Sequence, residues 1–193
     1  MARPREFDEE QVAEALLQTF WNLGYAATTL PHLSSASGLG PGSLYAAFGN
    51  KEAMFGIAVD RYQAYLTEAF MSDARGLEGI RTLFNKVVSL TVKDPDRRGC
   101  LVVNAVPESK ALTDITQKKL RNGLGDFRKL IRRRLIEALN NSNLQDDTNL
   151  ESLTASLASS AVGIRVLGRA GMGRKHLQSI ADGVVMLVEG YME

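Results

Sequence analysis

The sequence predicts an all-α fold, with an N-terminal three-helix helix-turn-helix unit followed by a C-terminal helical bundle. Three observations predict it. Apolar residues recur every three or four positions along most of the chain, the period of one helix face. Gly24 and Gly38 stand where the short N-terminal helices must stop. The apolar run that alone could be a strand, CLVVNAVPE at 100–108, has helices on both sides and no partner strand in view, so it too is taken as helix.

The elements follow in order. Asp8 followed by Gln11 is a capping-box-like start. Val12, Ala15, Leu16, Thr19, Phe20 and Leu23 then repeat at helical spacing and give a first helix over 9–23. Thr28 or Thr29 caps a second helix, with Pro31 tolerated in its first turn. Its inner face is Leu30, Leu33 and Ala36, and Gly38 ends it. Leu39 plugs the turn, Pro41 opens a third helix, and Leu44, Ala47 and Phe48 face inward. Asn50 caps a fourth helix over 51–71, with Ala53, Met54, Ile57, Ala58, Tyr62 and Leu66 as its periodic positions. Gly76 and Gly79 flank a weak boundary before a helix over 77–92. Residues 93–99 are a loop by composition. A long helix spans 112–139, where Leu120, Leu124, Phe127, Ile131, Leu135 and Leu139 repeat, and 140–149 is a polar loop. Two helices, 150–170 and 174–191, close the chain. The last holds VVMLV at 184–188, apolar on all sides, and a terminal helix of that kind needs burial on more than one face. A second copy of the chain would supply it. The interface residues expected are Leu157, Ser160, Gly163, Ile164, Leu167, Val184, Leu187 and Val188, with Gly163 and the nearby serines allowing close approach.

With 193 residues, 45% hydrophobic and 23% charged, the chain is an ordinary globular sequence long enough for a real core. Its single cysteine, Cys100, excludes an intrachain disulfide and fits a reducing cytoplasm. The start MARPREFDEEQ is acidic where a signal peptide would be apolar, and no run approaches a membrane span. Cytoplasmic is the expected location. The net charge of +1 does not advertise a nucleic-acid binder. In the first 55 residues Arg3, Arg5 and Lys51 stand against Glu6, Asp8, Glu9, Glu10, Glu14 and Glu52, a balance of −3. DNA binding must therefore rest on the placement of a few donors rather than on bulk charge.

Residues 28–52, TTLPHLSSASGLGPGSLYAAFGNKE, carry the functional reading. In a helix-turn-helix the second helix enters the major groove while the first lies across the backbone. Ser34, Gly38, Leu39 and Leu44 suit its packing. The recognition surface is Gly42, Ser43 and the exposed side of Tyr45 and Ala46. Thr28, Thr29, Tyr45 and Lys51 stand near helix starts, where backbone N–H groups also favour phosphate. Arg3 and Arg5 form an arm that can enter the minor groove.

FWNLGYAATTL and ASGLGPGSLYAAFGNKEAMF together resemble the tetracycline-repressor (TetR) family of transcriptional regulators over about 45 residues. GCLVVNAVPE and GIRVLGRAGM resemble segments of the effector-binding halves of some members more loosely. The resemblance implies a homodimer with an N-terminal DNA-binding domain, placed at 1–50, and an effector-binding and dimerisation domain at 51–193. It implies a palindromic double-stranded operator and a small effector that alters the spacing of the two heads. The pocket expected is lined by Phe84, Val87, Cys100, Asn104 and Phe127. The chain departs from the family at Gly40-Pro41-Gly42, where Ser-Lys-Gly is common, at Ala47 in place of a His, and at His32 in place of an acid. A basic residue and a hydroxyl cap are thereby missing from the recognition helix.

Other features have bland readings beside the sharp ones. Lys118, Lys119, Arg121, Arg128, Lys129, Arg132, Arg133 and Arg134 form a nucleic-acid patch or a solvated face of an amphipathic helix. Cys100 follows Arg97 and Arg98, a setting that suits a redox-sensing thiol, yet it also reads as a small core residue. Phe20 and Trp21 pack between the first and fourth helices, and Glu108 and Asn104 offer a pocket polar contacts or serve as a cap. His32 and His176 are far apart and no metal-ligand spacing occurs, so no cofactor or metal is expected. No catalytic constellation stands out. The alternative function is a helical dimer that binds a ligand or protein, with a vestigial DNA-binding domain.

Overall fold

The computed structural model describes residues 7–139 and 147–192. These residues form α1 (Glu9–Leu23), α2 (Leu30–Ser37), α3 (Pro41–Phe48), α4 (Lys51–Ala69), α5 (Gly76–Val92), α6 (Leu101–Ala105), a 3-10 turn (Ser109–Ala111), α7 (Asp114–Leu139), α8 (Asp147–Arg169) and α9 (Arg174–Glu189). No strand occurs among the described residues. Several boundaries differ from expectation. The helix expected over 100–108 shrinks to α6, with the 3-10 turn following it, because Pro107 disfavours helical geometry at the residue before it. α4 stops at Ala69, and α8 starts at Asp147, inside the expected polar loop. The rest of that loop, 140–146, lies outside the described residues.

The chain divides into two compact units. The first unit runs to Leu66 and takes in Leu101–Arg121; the second is Thr67–Cys100 with the chain from Asn122 onward. The N-terminal helices share their core with α4, and α6 and the start of α7 belong to the same unit.

In the first unit Leu16, Phe20, Leu33, Leu44, Met54, Phe55, Ala58 and Tyr62 are fully buried. Phe20 meets Phe55 edge-on at 5.1 Å and Trp21 meets Tyr62 at 4.9 Å, so both aromatics of α1 are core residues against α4. Side chains of this size each contribute about 1.5–3 kcal/mol on burial. Polar contacts add to the seat. Arg61 pairs with Glu10 and Glu14 at 2.5 and 2.6 Å. Glu52 accepts from the Thr113 N–H and hydroxyl at 2.8 and 2.6 Å. Lys119 pairs with Asp60. Glu108 accepts from the Ala26 N–H at 2.7 Å. Glu108 is therefore a brace for the turn after α1.

In the second unit α5 packs on both α8 and α9, which pack on each other. Ile80, Phe84, Val88, Ile131, Leu135, Leu157, Ile164, Leu177 and Val188 form its core. Gly168 faces the methyl of Thr91 so closely that a Cβ there would collide with it, which explains a glycine inside α8. Buried Arg165 donates to the Thr91 hydroxyl at 3.2 Å and to the Gly99 carbonyl, tying α8 to α5 and to the loop after it.

Candidate functional site

α2 and α3 are eight residues each and are joined by Gly38, Leu39 and Gly40. Gly38 adopts φ 71°, ψ 4°, a left-handed conformation that a Cβ would disfavour. Its N–H donates to the Ser34 carbonyl, and the Ser34 hydroxyl donates to the Leu39 carbonyl at 2.5 Å. The turn is thereby clamped from both ends. At the start of α2 the Thr29 N–H donates to His32 Nδ1 at 3.3 Å. The imidazole fills the reciprocal place that a carboxylate takes in a capping box. Leu33 is the buried residue of α2; Ala36, expected inside, is exposed, because only one stripe of so short a helix reaches α1.

On α3 Leu44 alone is buried, while Pro41, Gly42, Ser43, Tyr45 and Ala46 are exposed. Gly40 caps α3 without a side-chain hydrogen bond, and Pro41 carries no N–H. The first-turn N–H groups of Gly42 and Ser43 thus face outward with no capping side chain over them. Open space surrounds the position where a Gly42 Cβ would lie. Residues 27–49 contain no Asp, Glu, Lys or Arg, so this surface is built of hydroxyls, backbone and one phenol. Four acids of the head stand elsewhere in structural roles. Asp8 caps α1, Glu10 and Glu14 hold Arg61, and Glu52 holds Thr113.

One expected phosphate contact needs correction. Thr28 is fully buried and its hydroxyl donates to the Gly24 carbonyl at 2.6 Å, so it shapes the turn and offers no outward donor. Lys51 is half-buried, with Nζ 4.5 Å over the Tyr25 ring and donating to the Ala26 carbonyl at 3.3 Å. Burial, then the nearby Glu52 carboxylate, push the Tyr25 phenol above its usual value, so the ring under Lys51 is neutral. Thr29, Gly42, Ser43 and Tyr45 stand at the surface as expected. Arg3 and Arg5 lie outside the described residues.

Residues 13–56 match the family model for bacterial regulatory proteins of the tetR family, and residues 76–183 match the tetracyclin repressor-like C-terminal domain. The chain belongs to the TetR family. It is a DNA-binding transcriptional regulator. The HTH-type transcriptional repressor ComR of Escherichia coli strain K12 is 28% identical over 107 residues, 53% of this chain and 51% of that protein. The chain thus matches about half the length of that relative. An HTH-type regulator of Bacillus subtilis strain 168, YezE, is 26% identical over 94% of this chain and 96% of its own. A solved structure of the TetR-family regulator CifR, cysteine-substituted and complexed with 26-base-pair operator DNA, superposes with a TM-score of 0.81. It is 30% identical and covers 95% of this chain and 98% of its own.

The residues expected to line an effector pocket fall in both units of this TetR-family chain. Phe84 and Val87 are buried on the face of α5 that meets the core. Phe127 is half-buried, 5.3 Å from Phe70. Cys100 is half-buried, and Asn104 belongs to the first unit. A hollow of about 370 Å³ lies against the other face of α5. Phe70, Ser72, Thr82, Leu83, Lys86, Ser89, Leu130 and Arg134 are among its walls. In the sequence Thr82, Lys86 and Ser89 read only as the polar stripe of the helical period whose apolar stripe is the core.

The expected interface is corrected as well. Leu157, Ile164, Val184 and Val188 are buried in the core of their own protomer, and Leu167 packs against it. Ser160 is half-buried, its hydroxyl donating to the Ser156 carbonyl. Gly163 and Leu187 reach the surface. The outward stripe reads Ser159, Val162, Gly163 and Val166 on α8, and Gly183, Met186 and Leu187 on α9. VVMLV looks apolar all round because Val184, Val185 and Val188 face inward while Met186 and Leu187 face out.

Proposed function

We propose that this chain acts in the cytoplasm as a homodimeric repressor that reads a palindromic operator and is released by a small effector. The observation that supports it best is the outer surface of α3. A clamped turn presents Gly42, Ser43 and Tyr45 on a rigid head, with unblocked N–H groups at the helix start. Such N–H groups favour phosphate, and an uncharged surface can enter the major groove without repulsion. Thr29 reaches phosphate from the start of α2. Lys51 reaches phosphate with the N–H groups that the Ala26 carbonyl does not take, and Arg3 and Arg5 enter the minor groove. The outward stripes of α8 and α9 pair two copies, with Gly163 and Gly183 admitting close approach.

Control follows from the braces inside the first unit. Glu108 to Ala26, Glu52 to Thr113 and Asp60 to Lys119 fasten the head to α6 and the start of α7. α7 continues as one helix into the effector-binding unit. An effector that favours one placement of α7 shifts the population of head spacings and hence operator affinity. The test is a gel shift on DNA flanking the protein's own gene, comparing wild type with Gly42→Asp. A carboxylate at the open helix start would meet phosphate, and affinity is expected to fall about 100-fold. Equal binding by both proteins would overturn the assignment of α3. The neutral surface also motivates a second reading, a ligand-binding dimer with a vestigial head, which predicts no sequence-specific complex even at low salt.

A further inference from the structure

We propose that the hollow beside α5 is the effector site and that it takes an amphipathic anion, a small molecule with one negative head group and an apolar body; this rests on the effector-released reading above. The walls divide by chemistry. Phe70, Leu83 and Leu130 give an apolar side, and Lys86 and Arg134 give two cations, with no carboxylate among the lining residues. Lys86 is exposed and makes no hydrogen bond or ion pair among the described residues. Arg134 is the opposite, with a side chain only 4% exposed. Its guanidinium donates to Glu137 at 3.0 Å and to the Ser72 carbonyl at 3.0 Å. A guanidinium carries five N–H groups, so donors remain beyond these two. Gly79 makes room for the Arg134 stem, since a Cβ there would lie 3.0 Å from its Cδ. The buried cation is thus fixed in place, and Glu137 balances only one of the two charges. The volume of about 370 Å³ suits a small molecule rather than a peptide.

The experiment uses the full chain and two fluorescent probes of similar shape, anionic anilinonaphthalenesulfonate and neutral phenylnaphthylamine. Wild type is expected to bind the anion about tenfold more tightly than the neutral probe. Lys86→Met is expected to remove that preference and leave the neutral probe unchanged. Ser89→Trp, which fills the hollow from a half-exposed position, is expected to abolish binding of both. Equal affinity for the two probes in wild type, or anion binding untouched by both variants, overturns the proposal. Circular dichroism of Lys86→Met guards the comparison, since an exposed lysine carries little of the fold. Operator binding without any probe is measured in parallel. Its absence sinks the repressor reading while the probe result still decides the chemistry of the hollow.

Discussion

Val166 is 49% exposed and Leu187 43% exposed, whereas Ile164, two residues before Val166 on α8, is fully buried in its own protomer. Val166→Asp and Leu187→Asp therefore change unfolding of the isolated protomer by no more than about 0.5 kcal/mol. In a two-fold dimer each substitution enters the interface twice. Two unpartnered carboxylates, each costing about 2 kcal/mol, weaken association by roughly 4 kcal/mol, or about a thousandfold in the dimerisation constant. Ile164→Ala behaves in the opposite way, costing about 3 kcal/mol of stability through the cavity it leaves. Sedimentation equilibrium over a range of concentrations, paired with urea unfolding, separates the two effects. The reasoning is refuted if Val166→Asp remains dimeric at wild-type concentrations, or if Ile164→Ala dissociates the dimer with no loss of stability.

Further predictions concern the head and the second unit. Thr28→Val keeps the shape of a buried residue and loses one hydrogen bond, so stability falls by about 1 kcal/mol. Operator affinity of the folded variant in a gel shift is unchanged; a tenfold loss would return Thr28 to the DNA. Salt dependence follows from the three cations near each head, Arg3, Arg5 and Lys51. The plot of log affinity against log salt for the dimer should have a slope no steeper than about −5. A slope near −11 would bring the basic row of α7, Lys118, Arg121 and Lys129, onto the DNA. The hydrogen bond from Arg134, opposed by some burial, holds the Glu137 carboxyl below the usual glutamate range. Its contribution is present above the unfolded glutamate value and is lost as pH falls through the lower folded value. Urea midpoints between neutral and acid pH should fall less for Glu137→Gln than for wild type, and identical profiles would remove the pair from the account.

Periodicity and caps placed each helix because those signals are local. Asp8, Gly24, Gly38 and Pro41 each act within a turn of their own position. What they do not carry is direction. The stripe Leu157, Ile164, Val184 and Val188 is apolar enough for either a core or an interface, and only the packing of α5 against α8 and α9 decides between them. The same limit hid the hollow, since Thr82 and Lys86 look like a solvated face until Phe70 and Leu130 are found to line the same hollow. Thr28 was misread for a related reason. A threonine two residues before a helix looks like a cap, but Thr29 takes that position and Thr28 turns inward to Gly24. The acidic balance of the head looked hostile to DNA until Arg61 and Thr113 accounted for Glu10, Glu14 and Glu52.

The central claim is that two copies of α3 read two half-sites together. Hydroxyl-radical footprinting of the full chain on DNA flanking its own gene tests it most directly. The account predicts two protected half-sites related by two-fold symmetry, with centres about one helical turn (roughly 34–36 Å) or a multiple of it apart. Both should be lost together in Gly42→Asp. Protection spread evenly along the fragment, or a footprint that survives Gly42→Asp, would contradict it.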